Sequence, residues 1–172
     1  MTAGEIWFYF LLYSLLGWLL ENVYSLFTQG VFWKEGFLKG PFKPMYGVAP
    51  LLLLAFCREG GYSLLILLLC LLIPTAVEGI SGYLLLALFG RRWWDYSAHR
   101  VQLGGHVCLR FSLYWGVLSL AMLRALHPLA ELVYRQLAPL WHAAGPAFLL
   151  LFAADLLWTC LTRRRAWRGS LI

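Results

Sequence analysis

The feature that most constrains this chain is a series of apolar runs at or near the length needed to cross a bilayer. A crossing takes about 20 mostly apolar residues, with a range of roughly 17–25. Five segments reach or approach that length: about Glu5 to Phe27, Phe42 to Phe56, Tyr62 to Phe89, Val107 to Leu126 and Pro146 to Leu161. The second is short, and the third is long enough to tilt or to kink at Pro74. Between the last two, His127 to Ala144 carries Leu129, Leu132, Val133, Leu137 and Leu140 at helical spacing, interrupted by Glu131, Arg135 and Gln136. That pattern predicts an interfacial amphipathic helix. The expected fold is all-α: a polytopic membrane helix bundle of about five transmembrane helices plus one interfacial helix, forming one integral membrane domain over residues 1–172.

Composition agrees. Of 172 residues, 62% are hydrophobic and 13% charged, against roughly 45–50% and about 25% in soluble domains. A chain this size cannot enclose that much apolar side chain. A soluble enzyme, a disordered regulator and a free-standing nucleic-acid-binding module are excluded. The nine Trp and nine Tyr suit aromatic belts at the two interfaces. Cys57, Cys70, Cys108 and Cys160 stand singly and read as small buried hydrophobes. The first apolar run begins near Ile6 without a basic segment before it and exceeds a signal-peptide core of about 7–15 residues. It is expected to stay in the mature protein.

The net charge of +6 has a topological origin. Lys34, Lys39 and Lys43 follow the first span, Arg91, Arg92 and Arg100 the third, and Arg163, Arg164, Arg165 and Arg168 the fifth. The opposite connections hold only Arg58, Arg124 and Arg135. The positive-inside rule then puts the N-terminus outside and the C-terminus in the cytoplasm, in a multi-pass protein of the plasma membrane. The turn Arg58-Glu59-Gly60-Gly61 is tight enough to make the second and third spans an antiparallel hairpin.

Carboxylates inside spans are costly, about 2.5–3.5 kcal/mol on insertion scales, and face protein or water. Glu21, Glu78 and Asp155 qualify. Ser14, Gly17, Glu21, Tyr24 and Thr28 make a polar and small-residue stripe on the first helix; Thr75, Glu78, Gly79 and Gly82 make another on the third. Small residues let helices approach closely. The assigned orientation puts Glu21 and Glu78 at comparable depth, near a basic layer containing Arg91, Arg92, Asp95, His99, Arg100 and Arg110. The candidate polar cavity, open to the cytoplasmic side, is therefore Ser14, Glu21, Glu78, Asp95, Arg100 and Arg110. A structural ion-pair network is the competing reading. Asp155 shows no evident partner in the sequence.

Two loops carry further signals. Gly36, Gly40, Pro41, Pro44, Tyr46 and Gly47 give irregular backbone, which survives in lipid only when covered by protein or lining a wet cavity. Part of this loop is a candidate to re-enter the membrane, with a surface loop as the alternative. In Arg91-Arg92-Trp93-Trp94-Asp95-Tyr96-Ser97, Trp93 and Trp94 suit an interface anchor, and helical spacing lets Asp95 neutralise Arg91 or Arg92. Asp95 and His99 also have the spacing of two metal ligands on a helix, without a third. No phosphate-cradling loop, catalytic triad or metalloprotease motif occurs, so no cofactor and no catalytic residue is expected.

The motifs resemble the CmpB-like family of small membrane proteins, described as type IV ABC-transporter permeases. The resemblance covers about Tyr9 to Trp115. It rests on Tyr13-Ser14-Leu15-Leu16-Gly17-Trp18-Leu19-Leu20-Glu21, Gly36-Phe37-Leu38-Lys39-Gly40-Pro41, Pro44-Met45-Tyr46-Gly47, Glu78 in a TxxEGxxG setting, Trp93-Trp94-Asp95-Tyr96-Ser97 and Leu103-Gly104-Gly105-His106-Val107-Cys108-Leu109. Where the family usually has Asn-Leu-Asn-Gly-Arg, this chain has Gln102-Leu103-Gly104-Gly105-His106, losing an amide and a fixed positive charge. The resemblance implies an integral membrane permease-like subunit. Since no ATPase motif is present, it also implies a separate ATPase subunit; five helices enclose little space, so homo-oligomerisation is expected to complete a pathway.

Three functions fit these residues. The first is a permease-like subunit or small transporter using the Glu21 and Glu78 cavity. The second is a non-transporting scaffold or regulator that docks a cytoplasmic partner. The third is a lipid head-group enzyme, with Glu21 or Asp95 as acid/base and Arg100 or Arg110 on phosphate. The partners expected are the lipid bilayer and protein subunits, not nucleic acid.

Overall fold

The computed structural model describes residues 1–57 and 64–169. Its elements are α1 (Ala3–Gln29), α2 (Pro44–Phe56), α3 (Leu64–Phe89), β1 (Gln102–Leu103), β2 (Val107–Cys108), α4 (Leu109–Ala121), a π-helical turn (Met122–Leu126) and α5 (His127–Gly169). The fold is all-α apart from the short hairpin. The expected turn at Arg58-Glu59-Gly60-Gly61, the first residues of the third expected span and the Arg168 side chain lie outside the described residues.

Three helical stretches are long and apolar enough to cross a membrane: Ala3–Gln29, Leu64–Phe89 and Leu109–Trp167. Pro44–Phe56 is apolar but shorter. The backbone stays helical from Leu109 through Gly169, where the sequence suggested separate elements at Val107–Leu126, His127–Ala144 and Pro146–Leu161. Val107 and Cys108 instead pair in the hairpin. Pro139 and Pro146 lie inside α5; each removes one hydrogen bond and crowds the carbonyl four residues earlier, yet the backbone continues helical through both. The π turn ends two residues before Pro128, whose ring crowds the Arg124 carbonyl four residues earlier; there the His127 N–H reaches back to the Met122 carbonyl.

The chain divides into two compact units, Met1–Gly47 with Gln136–Ile172, and Val48–Arg135. In the first, α1 starts on a capping box: the Glu5 N–H donates to the Thr2 hydroxyl and the Thr2 N–H to the Glu5 carboxylate, satisfying two orphan donors. It ends at Gly30 in the left-handed region, whose N–H returns to the Leu26 carbonyl. The apolar centre is Leu11, Leu38 and Phe152, flanked by Trp7, Phe10, Phe37, Phe42 and Trp141. Three of these side chains come from the irregular loop between α1 and α2. The loop is thus a packed part of the unit rather than a free surface strand.

In the second unit, α3 packs on α4. The hairpin pairs Gln102 with Cys108 and Leu103 with Val107. Gly104 and Gly105 both have positive φ, 59° and 75°, which only glycine adopts without strain. The Gly105 N–H donates to the Gln102 side-chain carbonyl at 2.6 Å.

Candidate functional site

The first unit gathers its polar residues around the loop from Lys34 to Gly47. Glu21, just over two turns before the end of α1, forms ion pairs with Lys34 at 3.2 Å and with Lys43, both through Oε2. The three side chains are 20%, 34% and 11% exposed, so Lys43 is the most enclosed. Asn22, fully buried, clamps the same region: its carbonyl oxygen accepts from the Lys34 N–H and its amide donates to the Trp18 carbonyl, both at 2.8 Å. The Lys43 N–H donates to the Ser14 carbonyl. Ser14 is wholly buried, and its hydroxyl has no hydrogen-bond partner among the described residues.

Close approach depends on two glycines. A side chain at Gly17 would collide with the Tyr46 ring, and one at Gly47 with Ser14 and Phe10. This is the small-residue packing expected of helices in lipid, and it gives Gly17, Tyr46 and Gly47 a structural role. Pro44 occupies the first position of α2, where its missing N–H costs nothing. Pro41 sits on the exposed side of the loop.

α5 holds the middle of the loop, from Glu35 to Gly40, with Asp155 and Arg163, and Thr159 between them bonds Asp155; the three are spaced four apart on one helix face. Asp155 accepts the Gly40 N–H at 2.9 Å and the Lys39 N–H at 3.3 Å, and the Thr159 hydroxyl at 3.2 Å. The Lys39 ammonium lies over Trp158. Arg163 donates to the Gly36 and Phe37 carbonyls and pairs with Glu35. The carboxylate that lacked a partner in the sequence therefore has three donors, two of them more than a hundred residues away. Asn22 and Thr159 were also missed. Asn22 lies beside Glu21, and Thr159 one turn after Asp155, which is the only sequence signal either offered.

The polar stripe on α1 is shorter than its spacing suggested. Ser14 and Gly17 are buried and Glu21 is half-buried, but Tyr24 and Thr28 are exposed. The buried polar positions continue instead through Asn22 and Ser25.

The second unit builds a separate polar arrangement. Glu78, 2% exposed, accepts the Tyr96 hydroxyl at 2.9 Å. Tyr96 is fixed by stacking on Phe111, with centroids 4.8 Å apart, and by its N–H to the Gly105 carbonyl. Trp94 is half-buried and donates from its indole to the His106 carbonyl; both pack on Gly82 of α3. Trp93 takes Arg91 over its ring at 5.4 Å. Arg110 is exposed and bonds the Tyr114 hydroxyl; Arg100 is exposed. Glu21 and Glu78 are thus each supplied with hydrogen-bonding or ionic partners by their own unit.

Asp95 pairs with Arg92 at 3.2 Å, one of the partners expected, but in a turn and not on a helix. Helical spacing to His99 therefore does not apply, and no group of three metal-ligating side chains occurs among the described residues. Hydrogen bonds from the Ser97 hydroxyl and amide, with Arg92 alongside, hold the Asp95 carboxyl below the usual carboxylate range. A lowered folded value means that the turn is stabilised above the ordinary Asp range, near pH 4, and loses this as pH falls through the lowered value. The Ser97 amide is expected to lose hydrogen-exchange protection at neutral pH in Asp95→Asn, and in the unaltered chain only in acid. Equal protection at pH 7 in both would show that the charge does not organise the turn.

Comparison with known proteins returned no match among curated proteins and none among solved structures. Residues 8–160, which include Glu21, Lys34, Lys43, Glu78 and Asp155, match the CmpB family, whose description is "Putative ABC-transporter type IV", and the chain belongs to that family.

Proposed function

We propose that the chain is a permease-like subunit of a transport system of the plasma membrane, working with a separate ATPase. Family membership and the long apolar helices already make it a membrane transporter-like protein. The observation that carries the finer reading is the ionic cluster of Glu21, Lys34 and Lys43, enclosed by α1 and the clasped loop. Charges kept inside a membrane helix bundle mark ion and substrate pathways, and the Tyr96-bonded Glu78 is a second such group. In this reading both polar sites open to the cytoplasmic side, with the N-terminus outside and the C-terminus inside. α2 and a kinked Leu109–Trp167 stretch then bring the crossings to about five, with the His127–Ala144 segment at the interface, within one integral membrane domain. Asp95, Arg100 and Arg110 form the charged cytoplasmic margin, and copies of the chain complete the pathway.

The test is solute flux. An affinity-tagged chain purified from its native membranes is expected to bring an ATP-hydrolysing subunit with it. Proteoliposomes of that complex are expected to move at least one solute from a panel of amino acids, sugars and inorganic ions when ATP is supplied. Glu21→Gln and Glu78→Gln are each expected to cut this flux at least tenfold while leaving helix content unchanged. Sealed vesicles with no ATP-dependent movement, or unimpaired flux in both variants, would remove the reading. Retained flux in both, with partner binding lost on altering the loop from Arg91 to Arg100, would favour a scaffold.

A further inference from the structure

The cluster on α1 has an arithmetic that a purely structural salt bridge does not need: two ammonium groups share one oxygen of one carboxylate. Opposite charges in an enclosed site stabilise one another strongly only when they balance, and an excess charge removed from water is costly. Here one positive charge is left over. The nearest acidic side chain in the loop, Glu35, is turned to Arg163, and Asp155 is engaged by the Lys39 and Gly40 amides. Lys34, about a third exposed, leaves the cluster a route to solvent, whereas Lys43 is nearly enclosed. Two turns earlier on the same face of α1, the buried Ser14 hydroxyl lies against Gly47 and has no partner among the described residues, while the Ser14 carbonyl holds the Lys43 amide.

We infer that Lys34 and Lys43 form a binding site for a phosphate-type oxyanion, which Glu21 occupies as a resident competitor when no ligand is bound. Lysine ammoniums bind phosphate as point charges, and the bonds of the Lys34 amide to Asn22 and of the Lys43 amide to the Ser14 carbonyl hold both lysine backbones in place when that carboxylate is displaced. The inference names the ligand class of the site used in the transport reading and rests on that reading for its setting. It is nevertheless measured by binding alone, without flux. The oxyanion is either free phosphate or the phosphodiester of a lipid head group, since both present the same chemistry to two ammoniums.

Trp18 and Trp33 lie edge to face at 5.4 Å beside Asn22 and Lys34 and supply an intrinsic fluorescence signal. The purified full-length chain in phosphatidylcholine nanodiscs is titrated with inorganic phosphate, with calorimetry as the second readout. Saturable binding of one phosphate per chain is expected. Lys34→Gln, at the solvent-facing position, is expected to weaken it at least tenfold, and Glu21→Gln to strengthen it severalfold by removing the competitor. A parallel series with phosphatidylglycerol in the nanodisc separates the sources: if the lipid is the ligand, it abolishes the response to free phosphate, and Lys34→Gln lowers the lipid's retention. Absence of both phosphate binding and lipid retention overturns the inference. So does indifference to Lys34→Gln, or weaker binding in Glu21→Gln, which would mark a cation or proton site instead. ATP-dependent flux persisting without oxyanion binding would remove the ligand class and leave the transport reading standing; oxyanion binding without flux would do the reverse.

Discussion

Replacing Asp155 with alanine is expected to lower the thermal midpoint of the detergent-solubilised chain by about 5–10 °C. The carboxylate accepts two backbone N–H groups from the loop and the Thr159 hydroxyl. Hydrogen bonds to a charged group are each worth about 1.5–3 kcal/mol, and abandoned buried donors add a desolvation cost. Since Asp155 is only half-buried, water recovers part of this, leaving about 2–3 kcal/mol. For a chain of 150–250 residues each kcal/mol moves the midpoint by about 2–4 °C. Asp155→Asn keeps one acceptor oxygen and is expected to fall between. Fluorescence-detected size exclusion after heating measures both. A midpoint within a degree of the unaltered chain would mean that Asp155 does not hold the loop.

Substitution of Gly17 is expected to be comparably severe. An alanine gains helix propensity of about 0.5–1 kcal/mol over glycine, which on an open face would stabilise α1. At Gly17 the new Cβ would meet Cβ and Cγ of Tyr46, atoms next to the backbone that cannot swing aside. Overpacking of this kind costs about 1–3 kcal/mol, so the clash outweighs the propensity gain, and Gly17→Leu is expected to abolish the native packing of the first unit. The cycle with Tyr46→Ala decides the cause. If the contact is responsible, Gly17→Ala costs less in the Tyr46→Ala background, with a coupling of about 1 kcal/mol or more. Additive effects would place the fault elsewhere.

Much of the architecture was legible because it depends on local sequence. Long apolar runs are readable within the elements they define. The polar sites were legible by residue type more than by partner. Glu21 and Glu78 stood out because charge is rare inside apolar runs, and Glu78 proved to be bound by Tyr96, within a motif already singled out. The helical reading of Asp95 with Arg92 named the right pair for the wrong backbone. Gly104 and Gly105 reverse the chain nearby and return a carbonyl to Tyr96, so Asp95 sits in a turn. The uninterrupted helix through Pro128 and Pro146 was not legible, because a proline ends a helix or bends it according to whether neighbouring packing replaces the lost bond.

By itself the sequence determined that the chain belongs with lipid, that its elements are helices, and which family it joins. These follow from hydropathy and ordered motifs, each summed along the chain. Only the tertiary structure decided that α5 clasps the α1–α2 loop through Asp155, Thr159 and Arg163, and that Glu21 sits between two lysines. Lys39 and Asp155 are 116 positions apart, and no spacing rule connects them. Their meeting depends on how helices pack in three dimensions, where an electrostatic partner is chosen by distance and burial rather than by order in the chain.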